Sequence, residues 1–116
     1  MEYTHHYFLS IPLNVRDLNV LEEEIPWEDI QFEEFEIDGN DYNNLFDLFC
    51  QYDKPFDILI DEYEEEIIPA SGVQLAIEMA ERYAADATPE VKASTGKLLA
   101  VLRRAKELGK QVLLSF

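Results

Sequence analysis

From Ser71 to Phe116 the sequence carries two apolar stripes at helical spacing, followed by an apolar tail that cannot stay solvated. Val73, Ala76, Ile77, Ala80 and Ala84 line one face of a helix running to about Ala85, and Ser71 and Gln74 stand at capping-box spacing before it. Thr88-Pro89 opens a second helix, with proline at the first position, where a missing N–H is harmless. Its inward stripe is Val91, Thr95, Leu98, Leu102 and Ala105, with Leu99 and Leu108 beside it. Arg103, Arg104 and Lys106 suit the negative end of the helix dipole, and Gly109 suits its C′ position. Val112-Leu-Leu-Ser-Phe116 then reads as a buried strand. A single strand needs partners, so the first half must supply a sheet.

Strand signals are present there. Tyr3, His5, Tyr7, Leu9 and Ile11 alternate with Thr4, His6, Phe8 and Ser10, and Pro12 ends the run. Residues 17–24 read as a short helix or loop. Residues 30–37 read as a strand in which Ile30 and Phe32 are out of phase with Phe35 and Ile37, which predicts a bulge or break. Asp38-Gly-Asn40 signals a turn. A helix follows from Asp41 to Tyr52 on Tyr42, Leu45, Phe46 and Phe49, with Asn40 or Asp41 as N-cap and Lys54-Pro55 as its interruption. Phe56, Ile58 and Ile60 alternate as a further strand, and Ile67-Ile68-Pro69 is an apolar step toward the next helix. With no internal repeat and no Gly/Ser linker, residues 1–116 read as a single α+β domain. A small, mainly antiparallel sheet should pack against two C-terminal helices, with a C-terminal β-strand.

Charge narrows the function. The chain has 25 acidic and 9 basic residues, a formal charge of −16. Residues 1–66 hold 20 acids against two bases, a net −18; the remainder holds five acids against seven bases, a net +2. The acids cluster as Glu22-Glu23-Glu24, Glu28-Asp29, Glu33-Glu34 with Glu36, and Asp61-Glu62 with Glu64-Glu65-Glu66. Trp27, Ile30, Phe32, Phe35 and Tyr63 are interleaved with them, unlike a low-complexity acidic tail. Direct nucleic-acid binding and adsorption to an anionic membrane require the opposite sign. High net charge can serve solubility alone. Clustered carboxylates around aromatics instead predict a surface that meets a basic protein, with Arg82, Arg103, Arg104 and Lys106 as internal compensation.

Catalytic signatures are lacking. His5 and His6 are neighbours on a strand, point to opposite faces and cannot share a metal; with Cys50 they make three N/S ligands where a structural zinc site uses about four. A calcium loop counted from Asp38 would need glycine at Asn43 and a carboxylate at Phe49. The four serines lack nucleophile-elbow context, and the four glycines form no phosphate-binding loop. Asp61-Glu62-Tyr63-Glu64 could at most hold Mg²⁺ or Ca²⁺ weakly. Cys50 reads as a buried structural thiol, because a reactive one wants positive charge nearby. The expectation is a non-enzyme without cofactor or metal. The N-terminus has no secretion-signal pattern, no apolar run nears the ~20 residues of a membrane span, and a lone cysteine fits the cytoplasm.

In size, acidity and α+β pattern the chain resembles the immunity proteins of bacterial toxin–immunity pairs. That resemblance implies a basic partner, such as a nuclease-type cognate toxin whose active site or nucleic-acid cleft is occluded. The alternatives are a phage-type DNA-mimic inhibitor of a restriction or CRISPR protein and, from another class, a small Mg²⁺-dependent enzyme. The residues expected to meet the partner are Glu22, Glu23, Glu24, Trp27, Glu28, Asp29, Glu33, Glu34, Asp61, Glu62, Glu64 and Glu65. Trp27 is either their central anchor or a core residue.

Overall fold

The computed structural model describes residues 6–15, 26–59 and 65–116. The elements are β1 (Tyr7–Pro12), a 3-10 turn (Trp27–Asp29), β2 (Phe32–Ile37), α1 (Gly39–Phe56), β3 (Glu65–Ile68), a second 3-10 turn (Ala70–Gly72), α2 (Val73–Ala85), α3 (Pro89–Leu108) and β4 (Val112–Ser115). The four strands form one antiparallel sheet in the order β2-β1-β4-β3. The N-terminal and C-terminal strands are therefore the central pair. The fold is α+β with a C-terminal strand, and α1 joins the two C-terminal helices on the sheet.

Alternation sorts the strands into two faces. Tyr7, Leu9 and Ile11 of β1, Ile37 of β2, Ile68 of β3, and Val112 and Leu114 of β4 join the helices in one buried core with Phe116. From α1 that core takes Tyr42, Leu45, Leu48, Phe49 and Tyr52; from α2 it takes Val73, Ala76, Ile77 and Ala80. From α3 it takes Leu98, Leu99, Val101, Leu102 and Ala105. Tyr42 stacks on Tyr7 at 4.5 Å and meets Phe116 edge-on at 5.2 Å, an aromatic joint between β1, α1 and the end of the chain. The buried Tyr52 hydroxyl donates to the Ala76 carbonyl at 2.8 Å and links α1 to α2.

The helix ends depart from expectation in instructive ways. Asp38, not Asn40 or Asp41, caps α1: its side chain accepts from the Asp41 amide while the Asp41 side chain accepts from the Asp38 amide. Pro55 does not stop α1, because within the last turn it removes one amide whose acceptor, the carbonyl of Gln51, belongs to an exposed residue. The helix ends at Asp57, in the left-handed region at φ 52°, where an aspartate is tolerated. Phe56 is thus helical and Ile58 lies in the turn after it, so the strand expected at 56–61 is displaced to Glu65–Ile68; Ile60 and Asp61 lie outside the described residues.

The Ser71–Gln74 capping box does not form. Ser71 lies within the 3-10 turn that follows Pro69, and α2 starts from Gly72 without a side-chain cap. Gly72 is needed for space, since a Cβ there would stand 2.6 Å from the Phe56 ring. On α3 the reading holds: Thr88 accepts from the Val91 amide, Pro89 follows, and Gly109 closes the helix at φ 67°. Ala84 and Val91 are only half-buried.

Candidate protein-binding surface

The second face of the sheet carries no helix among the described residues. Its pairings define two rows across the strands. Glu36 on β2 lies opposite Phe8 on β1, which lies opposite Ser115 on β4, which lies opposite Glu65 on β3. The next row is Glu34, Ser10, Leu113 and Ile67. Carboxylates therefore stand on both outer strands, and apolar or hydroxyl side chains stand between them. Phe8, Phe32 and Ile67 are half-buried, Ser10 and Leu113 are buried, and Glu34, Glu36 and Glu65 are exposed. A depression of about 180 Å³ is lined by Phe8, Ser10, Phe32, Glu34, Leu113 and Ser115. His6 stacks on Phe8 at 6.1 Å and pairs with Glu36.

This face also explains the anomaly in β2. The β1–β2 register runs without interruption from Tyr7–Ile37 to Pro12–Phe32, so no bulge is present. Phe32 serves the second face, and Phe35 and Ile37 serve the core. Both faces of the strand bear apolar residues, so the hydrophobic alternation changes phase while the backbone does not.

The residues expected at the interface separate into groups. Glu34 and Glu65 lie on the second face, where Glu36 joins them. Glu33 points the other way, toward the helices, and accepts from Arg104 Nε at 3.2 Å. Arg104 also reaches Glu107 at 3.5 Å, and the Glu33 hydrogen bond with both carboxylates keeps its guanidinium more firmly protonated. Glu33 is thus internal compensation of the acidic half. Glu28 and Asp29 are exposed on the first 3-10 turn. Asn14 fastens that turn to the end of β1: its amide donates to the Asp29 carbonyl at 2.9 Å, and its oxygen accepts from the Gln31 amide at 2.8 Å. Trp27 contributes its backbone to this turn, and its side chain lies outside what is described. Glu22, Glu23, Glu24, Asp61, Glu62 and Glu64, with the segment 17–24, also lie outside the described residues.

A polar cluster that sequence reasoning missed joins α1 to α3. The Asp41 side chain is buried and accepts from Ser94 Oγ at 2.7 Å, from Lys97 Nζ at 2.7 Å and from the Asp38 amide at 3.2 Å. Asn44 donates to Ser94 Oγ at 3.1 Å, and the Tyr83 hydroxyl donates to the Asn44 carbonyl at 2.8 Å. Burial works to raise the Asp41 pKa, but Lys97, Ser94 and the Asp38 amide outweigh it and hold the carboxyl below its ordinary value. Ser94 is buried with its hydroxyl engaged as both donor and acceptor, so the trio works as a brace rather than an exposed nucleophile and base. The Asp38–Asp41 spacing signals the cap; nothing local signals Lys97, 56 residues away.

Cys50 is exposed, which corrects the expectation of a buried thiol. It lies off the stripe formed by Leu45, Leu48, Phe49 and Tyr52, as does Phe46, which is 39% exposed. Partial burial, then Asp53 and Asp47, push its pKa up, the opposite of activation. Among the described residues no group of three or more His, Cys, Asp and Glu side chains is placed to hold a metal ion. No helix among them is long and apolar enough to cross a membrane. No family model, curated protein or solved structure matches the chain.

Proposed function

We propose that this protein is an acidic protein-binding module, an immunity protein that neutralises a basic, nuclease-type toxin by covering its active site or nucleic-acid cleft. The observation that carries the reading is the second sheet face, where the exposed Glu34 and Glu36 on one outer strand and Glu65 on the other flank the half-buried Phe8 and Ile67. Carboxylates at the margin steer a cationic partner and set its orientation, and desolvated aromatic and aliphatic contacts between them slow its departure. Glu28 and Asp29 extend the negative field beyond the strands. The aromatic ground favours a protein surface over mimicry of a phosphate backbone, which requires spaced charges but no apolar centre. Binding by the cell's own toxin implies a cytoplasmic site of action.

The test is capture of partners from native host lysate, with mass-spectrometric identification, followed by association kinetics across salt. A basic protein should be recovered, and its on-rate should fall more steeply with salt than its off-rate rises. An acidic partner, or kinetics insensitive to salt, contradicts the proposal.

A further inference from the structure

We infer that the outer edge of β2 is the seat for an extended cationic segment of the partner, which joins the sheet as a further antiparallel strand. The inference rests on the basic-partner reading and adds the shape of the contact. The Leu13 amide donates to the Gln31 carbonyl at 2.7 Å, and that pair continues the β1–β2 register. Hydrogen-bonded pairs in an antiparallel ladder recur at every second residue. Glu33, Phe35 and Ile37 therefore turn their backbone groups toward β1, and Glu34 and Glu36 turn theirs outward. Among the described residues no strand pairs with that edge. The backbone N–H and C=O groups of Glu34 and Glu36 thus stand in a row beside their own exposed carboxylates.

Strand addition draws its affinity from main-chain hydrogen bonds and its specificity from alternate side chains. It needs no open apolar ground on the sheet face, where Ser10 and Leu113 are already buried. Every pairing in this sheet is antiparallel, and an antiparallel newcomer would form two hydrogen bonds with Glu34 and two with Glu36. Side chains opposite those residues lie on the same face as their carboxylates, so Lys or Arg belongs there. The position between lies opposite the half-buried Phe35, which packs against the core, so an apolar residue belongs there. Glu33 makes no demand, because Arg104 already meets it on the helix side. His6 holds only part of Glu36, whose side chain stays 52% exposed. A second copy of this chain is a poor occupant. Pairing β2 with itself through both residues sets Glu34 opposite Glu34 or Glu36, and like charges directly opposed are destabilising. The acids thus guard the edge against self-association and select a cationic strand.

The probe is a peptide of alternating lysine and valine, as long as the six residues of β2, titrated into isotopically labelled protein and followed by amide NMR. Two further peptides of equal charge carry N-methyl groups, one on the lysine nitrogens and one on the valine nitrogens. In the antiparallel strand the lysine amides face β2 and the valine amides face away. Methylating the lysines should therefore weaken binding roughly tenfold or more, while methylating the valines should change it by about twofold at most. The amides of Glu34 and Glu36 should exchange quickly in the free protein and gain protection with the unmethylated peptide. Those of Glu33 and Phe35, already bonded to β1, should be protected in both states. Equal affinity of the two methylated peptides, the reverse preference, or no gain of protection at Glu34 and Glu36 overturns the edge site. So does failure of every peptide to bind. In each of these cases the basic-partner reading stands or falls on the lysate capture alone.

Discussion

Replacing Asp41 by asparagine should cost this small protein much of its stability, and the cost should depend on pH in a defined direction. Asp41 is 6% exposed, and its carboxylate accepts three hydrogen bonds, from Ser94, Lys97 and the Asp38 amide. An asparagine of the same size must aim its NH₂ at one of those donors. The loss combines about 1 kcal/mol for a weakened cap with about 1.5–3 kcal/mol for hydrogen bonds to a charged group, so about 2.5–4 kcal/mol together. At a urea m-value of roughly 2 kcal/mol/M the unfolding midpoint should drop by about 1–2 M. Asp47→Asn, on an exposed site of the same helix, should change stability by under ~0.5 kcal/mol. The Asp41 pKa is lowered on folding, so its contribution is present above the ordinary 3.8 and is lost as pH falls through the lower folded value. The Lys97 pKa is raised, so its contribution is present below 10.5 and is lost as pH climbs above that. The gap between wild type and Asp41→Asn should therefore be flat from pH 5 to 9 and shrink below pH 4. A gap under ~0.5 kcal/mol at pH 7, or one that persists undiminished at pH 3, refutes the brace.

Three further outcomes follow from particular residues. Leu102 is fully buried in the core, so Leu102→Ala should cost ~2–5 kcal/mol in urea unfolding. Gly109→Ala should cost about 1–2 kcal/mol through backbone strain alone, since φ is 67° and no atom lies within 4 Å of the added methyl. Cys50 should alkylate with iodoacetamide at pH 7.5 more slowly than an unstructured cysteine peptide, despite its exposure, and Asp53→Asn should speed it.

The parts of the fold written in local chemistry were readable from the chain. The stripes of α2 and α3, Thr88-Pro89, Gly109 and the apolar C-terminal strand each state their role within a few residues. What failed depended on neighbours distant in sequence. The serine at 71 looked like a cap, but Pro69 begins a tight turn that places the helix start at Gly72. Phe56 and Ile58 fitted an alternating strand, yet Phe56 completes α1 and packs against Gly72. Phe32 and Phe35 suggested a break, because period-two reasoning assumes one dry face and β2 has apolar residues on both. The acidic clusters were visible as clusters, but only the register separates Glu34 from its neighbour Glu33, which Arg104 claims from 71 residues away. Alternation alone could not tell which strands are central, and that order is what places Phe8 and Leu113 between the carboxylates.

The most direct measurement compares two charge reversals of equal size in binding to the captured basic partner. Glu34, Glu36 and Glu65 are changed to lysine together on the second sheet face; Glu78, Glu81 and Glu90, exposed on α2 and α3, are changed together as the control. Both triple variants should stay folded, because exposed charges contribute little individually. If position matters, the sheet-face variant should lose roughly tenfold or more in affinity, equal to about 1.4 kcal/mol, while the control should lose only a small factor through weaker long-range steering. Equal losses from the two variants would mean that net charge alone governs binding, and would contradict an interface built on this face.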